Sequence, residues 1–135
     1  MAELLALLFA QESDFAPDAA AQARGLALIL AQPEIGALLV ARAEGQVVGM
    51  LNLLFTVSTA LGARVAVLED VVVAPAFRNR GIGSRLLRAA LETAVDAGCK
   101  RVNLATDEHN LGAQRLYRRH GFTLSAMRTM RWMAP

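Results

Sequence analysis

The chain has 135 residues, a net charge of +2, 55% hydrophobic residues and 19% charged ones. That length predicts one domain with a real core, and the apolar content excludes disorder. The single cysteine, Cys99, forms no internal disulfide, which points to a reducing cytoplasm, and no apolar run approaches membrane-spanning length.

Residues 3–11 read as a short helix with Leu4, Leu5, Leu7 and Leu8 inward. No basic segment precedes this apolar stretch and acids follow it, so it is not read as a signal peptide. Residues 12–17 break the helix. Pro17 or Asp18 opens a second one, running to about Leu30 with Leu26, Ile29 and Leu30 inward, and Pro33 closes the region. Residues 35–43 read as a strand, Glu44-Gly45 as a hairpin turn, and 46–57 as the answering strand. Leu61-Gly62-Ala63 turns the chain into a third strand, 64–73, which completes an antiparallel meander.

In that third strand Val71, Val72 and Val73 form a β-branched run with no polar face, as in a strand buried on both sides. Pro75 cannot donate to a ladder, so the strand ends there. From Ile82 the apolar residues recur at helical spacing through Leu86, Leu87, Ala90, Leu91, Ala94 and Val95. Arg78, Asn79, Arg80, Gly81, Ile82 and Gly83 lie between strand and helix. The first amides of a helix have no intrahelical partner, and the dipole makes that end positive. Gly81 and Gly83 let a ligand approach those amides, and Arg78 and Arg80 add full charge, so the corner suits phosphate. The plainer alternative is glycine used for tight packing, with Asn79 as an ordinary N-cap. A Walker loop is excluded because no Lys-Ser or Lys-Thr follows the glycines, and Leu86 fills the third glycine position of a dinucleotide fingerprint.

After the long helix, Gly98 fits a helix-ending position. Residues 100–106 form a strand reached by a helical crossover, hence parallel to the central one. Residues 110–120 form a helix with Ala113, Leu116 and Tyr117 on one side, ended by Gly121. Residues 122–124 and 127–133 make a last hairpin, in which Trp132, Met127, Met130 and Met133 read as strand packing or a substrate wall. Cys99 is most simply a small apolar filler.

The charge is unevenly placed. Residues 1–70 carry three arginines against eight acids, a balance of −5, and residues 71–135 carry eleven bases against four acids, a balance of +7. The basic half holds the phosphate corner. Its arginines are scattered over helix faces with few aromatics to stack bases, which argues against nucleic acid. No His, Cys and Asp cluster has metal spacing, so no metal is expected.

Arg78-x-x-Gly81-x-Gly83 after a valine-rich strand resembles the acetyl-CoA signature of the GNAT superfamily of N-acetyltransferases. Asn110, Ala113, Leu116, Tyr117, Gly121 and Phe122 resemble the second characteristic segment of that family. The resemblance covers residue 35 to the C-terminus well and the first third loosely. It implies one α+β domain over 1–135, with a mostly antiparallel central sheet and helices on both faces; the family's first edge strand has no counterpart, so either the start is truncated or the sheet lacks that strand. An uncovered edge invites pairing with another chain, so a homodimer is expected.

The resemblance further implies an acetyl-CoA-dependent N-acetyltransferase that acts by direct attack of a primary amine in a ternary complex. The central strand and the one after the long helix would splay apart, leaving a gap for the pantetheine arm along Val71, Val72 and Val73. Its pyrophosphate would rest on the amides of Arg78, Asn79, Arg80, Gly81, Ile82, Gly83 and Ser84. Tyr117, the only tyrosine, takes the place of the family's usual acid; a phenol of pKa about 10 can protonate a leaving thiolate. Its alternative is an aromatic core residue. Glu69 is either the base, through a water, or a binder of a cationic substrate, whereas Asp70 points to the opposite face by strand alternation. Asn110 orients the cofactor or caps its helix. His109 sits in an exposed loop, and His120 at a helix end.

Acids in the first third (Glu12, Asp14, Asp18 and Glu34) favour an amine or basic peptide as acceptor. Two rivals stand beside this reading. One is a non-catalytic acyl-CoA binding or sensing module. The other is a flavodoxin-like nucleotide binder, which the antiparallel meander disfavours.

Overall fold

A computed structural model describes residues 1–11 and 16–135. The break expected after the first helix, with Glu12 and Asp14, lies in part outside the described residues. The chain divides into two compact units, Met1–Leu104 and Ala105–Pro135.

The first unit runs α1 (Ala2–Phe9), α2 (Ala19–Ala31), β1 (Gly36–Ala43), β2 (Gln46–Ser58), β3 (Ala63–Val73), a short 3-10 turn (Pro75–Phe77), α3 (Ile82–Asp96) and β4 (Val102–Leu104). The sheet order is β1-β2-β3-β4, with β1, β2 and β3 antiparallel in turn and β4 parallel to β3. Glu44 and Gly45 hold φ of 51° and 76°. A two-residue turn with both centres left-handed matches strand twist, and this fixes the β1–β2 register.

Neighbouring residues on β2 show why helices cover both faces. A Cβ on Gly49 would meet Leu86 at 3.0 Å and Ile82 at 3.3 Å, both from α3. Met50, the next residue, points the other way into a cluster with Leu4, Leu5, Leu26 and Val72, so α1 and α2 lie on that face. Met50, Leu51, Leu53 and Leu87 are fully buried. Removing such side chains from water contributes about 1.5–3 kcal/mol each, the main favourable term in the fold.

The helix stripes are narrower than the apolar spacing predicts. Leu7, Leu30 and Val95 are exposed, while Leu4, Leu5, Leu26 and the Ile82–Leu86–Leu87–Ala90–Ala94 stripe are buried. Short helices packed on a single sheet face cover only the side they turn toward it, and apolar residues on the flanks stay outside. Val72 is buried, but Val71 and Val73 are half-buried, so the valine run is enclosed less than expected.

In the second unit, α4 spans Leu111–Arg119. The Asn110 side chain accepts from the Ala113 amide at 3.1 Å, as a favoured N-cap does. Buried Gln114 donates to the Asp107 and Glu108 carbonyls at 3.0 and 2.9 Å and accepts from Arg118, tying the preceding loop to the helix. The Tyr117 and Phe122 rings meet edge to face, 5.9 Å between centroids. The hairpin expected over 122–133 is absent. Residues 123–135 carry no helix or strand, and Met127, Met130, Trp132 and Met133 are exposed rather than packed. Apolar alternation alone does not make a strand; a ladder needs a partner, and none is formed by these residues.

Candidate active site

The site in the first unit is organised by β3, and its geometry starts at a bulge. Met50 pairs with Val72 and Asn52 with Glu69, so one residue of β2, Leu51, opposes two of β3, Asp70 and Val71. The extra residue is accommodated by Asp70, which adopts a left-handed φ of 55°. A bulge of this kind breaks side-chain alternation and re-aims the residues it contains. Asp70 therefore does not point to the face opposite Glu69. Both carboxylates border one cavity of about 360 Å³, together with Gln22 and Leu26 of α2 and Asn52 of β2. Asn52 Nδ2 donates to Asp70 Oδ2 at 2.5 Å.

On the other side of β3 the sheet opens. Lys100 N donates to the Arg64 carbonyl and Ala66 N to that of Arg101, and the parallel ladder then runs from Ala66↔Val102 to Leu68↔Leu104. The parallel ladder thus stops at Leu68, and Glu69 to Val73 run on without a strand beside them on that side among the described residues. The strand expected over 100–106 is confined to three residues because pairing stops where β3 bulges.

At the end of β3 the chain turns into α3. Gly81 is its N-cap, left-handed at φ 75°, with no side-chain cap bond, and a Cβ placed there would meet nothing within 4 Å. The space beside Gly81 is open, and the dipole and first-turn amides of the 15-residue helix that starts there suit an anion. Asn79 is not the N-cap; it holds φ 61° two residues earlier, where asparagine is tolerated. Arg78 Nε donates to the Val73 carbonyl at 3.0 Å, which pins the turn to the strand it leaves. The Arg80 guanidinium lies 5.1 Å over the Phe77 ring. These arginines have structural contacts as well as charge. The corner fits a pyrophosphate: the amides belong to a regular helix, the approach is open, and basic groups flank it.

Glu69, Val71, Val72, Val73 and the run Arg78 to Ser84 thus belong to the first unit, and Asn110 and Tyr117 to the second. Asn110 is occupied in capping α4. His109 pairs with Glu108 at 3.4 Å on the surface, and His120 ends α4 beside Arg118 and Arg119. Burial pushes the Cys99 thiol up, with Arg64 pulling against it. Three residues escaped the sequence reading. Asn52 had a signal, a lone polar residue in the apolar run 50–55. Asp70 was assigned to the wrong face. Gln22 stood unmarked in an alanine-rich helix.

A mixed sheet whose central strand outruns its parallel neighbour and leads into a glycine turn fits an acetyltransferase fold. The chain belongs to the acetyltransferase (GNAT) family, whose sequence profile matches residues 2–122. It is 36% identical over 85 residues to the uncharacterized N-acetyltransferase YhfO of Bacillus subtilis, a stretch covering 63% of this chain and 57% of that protein. It is 39% identical over 75 residues to the thialysine N-epsilon-acetyltransferase of Bos taurus, covering 56% and 44%. It is 34% identical over 104 residues to the aminoalkylphosphonate N-acetyltransferase of Salmonella typhimurium, covering 77% and 67%. The chain spans about half the length of the first two of these relatives. Among solved structures, a Bacillus halodurans protein described as a transcriptional regulator superposes with a TM-score of 0.81 at 27% identity, over 98% of this chain and 93% of that one. The glucosamine-6-phosphate N-acetyltransferase of Arabidopsis thaliana shares the fold, with a TM-score of 0.79 at 18% identity, over 99% and 89%. Among the described residues no helix is long and apolar enough to cross a membrane.

Proposed function

We propose that this chain transfers the acetyl group of acetyl-CoA to a primary amine by direct attack within a ternary complex. The observation that carries the reading is the course of β3. One strand borders an acidic cavity, outruns its parallel neighbour after Leu68 and leads into the glycine turn that starts α3. Acetyl-CoA supplies a thioester whose carbonyl carbon accepts the amine. The amides from Arg78 to Ser84 receive the pyrophosphate. The main chain around Val71 and Val73 lies along the pantetheine arm, as a strand does along an extended ligand. Glu69, exposed at the bulge, takes the proton of the arriving ammonium through a water or holds its charge. As the C–N bond forms and the C–S bond breaks, the sulfur takes the electron pair and the Tyr117 hydroxyl gives it a proton.

The test is thiol release from acetyl-CoA across a panel of amines; the expected result is amine-dependent release. Tight acetyl-CoA binding with no release for any amine would support the second reading, a non-catalytic acyl-CoA sensing module, which the description of the Bacillus halodurans structure favours. β1 lies at the sheet edge, which supports a homodimer. A monomer mass in light scattering at micromolar concentration would defeat that.

A further inference from the structure

The cavity beside the bulge carries a mismatch that a ligand would resolve. Gln22 is 8% exposed and Asn52 3%. Neither Nε2 nor Oε1 of Gln22 has a hydrogen-bond partner, and Asn52 Oδ1 has none; both residues line the cavity. An unpaired buried amide group is destabilising, so several on one cavity wall need a compensating role. The outstanding needs are uneven: two amide oxygens must accept and one amide nitrogen must donate. Three carboxylates also line the cavity, Asp18, Glu69 and Asp70, and no lysine, arginine or histidine does among the described residues. The wall therefore asks for a ligand rich in donors and positive in charge, which describes an ammonium group: three N–H and no acceptor.

Resting on the acetyltransferase reading, we propose that the acceptor is an aliphatic amine carrying a second protonated nitrogen and no anionic group, and that Gln22 and Asn52 select it. The second cation follows from the chemistry. The attacking nitrogen must surrender its proton before it can bond to carbon, so it brings no positive charge of its own to a cavity whose described lining holds acids and no cation. A second nitrogen that stays protonated supplies the missing charge. It donates to the Gln22 and Asn52 oxygens, while Leu5, Leu26 and Leu54 take the methylenes between the two nitrogens. A carboxylate or phosphonate in the same place would face three acids with no cation. On this point the chain parts from its Salmonella relative, whose name specifies an aminoalkylphosphonate.

The test compares 1,5-diaminopentane, pentylamine and 2-aminoethylphosphonate by thiol release with acetyl-CoA and by calorimetric titration of the intact chain. Wild type is expected to prefer the diamine over pentylamine, which has the same stem without the second cation, by about tenfold or more in kcat/KM, and to reject the phosphonate. In Gln22→Leu the diamine KM is expected to rise about tenfold, with the acetyl-CoA KM unchanged and Tm equal or higher, because an unpaired buried amide has been removed. A purely structural Gln22 would not separate those constants. Pentylamine or the phosphonate matching the diamine overturns the acceptor assignment and leaves the acetyltransferase reading standing. Diamine heat without thiol release overturns the enzyme reading and keeps the assignment. Neither heat nor release overturns the assignment.

Discussion

The glycine corner and the acidic cavity lie along one strand yet are built by different means. The corner is main chain: amides of α3 exposed by Gly81, contributed by residues contiguous in sequence. The cavity is side chain: Gln22 from α2, Asn52 from β2, Glu69 and Asp70 from the bulge, brought together across almost fifty residues. Main-chain donors bind any diphosphate and cannot discriminate among acceptors. Side chains drawn from separate elements can change one at a time without disturbing the corner. The division suits an enzyme family with a common donor and varied acceptors.

Substitutions can break this division one part at a time. The largest effect is expected in Tyr117→Phe, outside the unit that holds both regions: kcat should fall about 100-fold or more while acetyl-CoA and amine affinities hold. Retained turnover in a stopped-time thiol assay would remove Tyr117 from the reaction. Next comes Gly81→Val, which breaks the corner alone. A β-branched side chain at φ 75° is strained and covers the amides, so the acetyl-CoA KM should rise about tenfold with the amine KM unchanged. Equal loss for both substrates would show that the corner and cavity are not separable. Glu69→Gln breaks the cavity side alone. If Glu69 is the base, its pH–rate profile loses the acidic limb; if it only binds the cation, the profile keeps its shape and the amine KM rises a few-fold. The smallest effect belongs to Gly49→Ala, between the two. Its Cβ meets Leu86 at 3.0 Å and the Val72 carbonyl at 3.3 Å, so thermal unfolding should show a loss of about 1 kcal/mol, with both KM values retained.

The corner was legible because its chemistry is local. A valine run, a proline stop, two glycines and a helical period occur within twenty residues, and each acts through backbone geometry. The Glu44-Gly45 turn and the meander were legible for the same reason. The cavity was not. Strand alternation assigned Asp70 to the face away from Glu69, and one inserted residue opposite β2 reversed that. Periodicity cannot see a bulge, because the register depends on the partner strand. Gln22 became notable only through burial without a partner, a property of its surroundings.

Taken alone, the chain's residues determined the order of its elements as far as α4, the family and the glycine turn before α3. All three follow from short-range constraints: side-chain spacing, φ preference and the missing hydrogen bonds of a helix start. Only the tertiary structure decided which acids share a cavity, which amides are left unpaired there and where β3 parts from β4. Those are relations between segments distant in sequence, set by register and packing that no single segment contains.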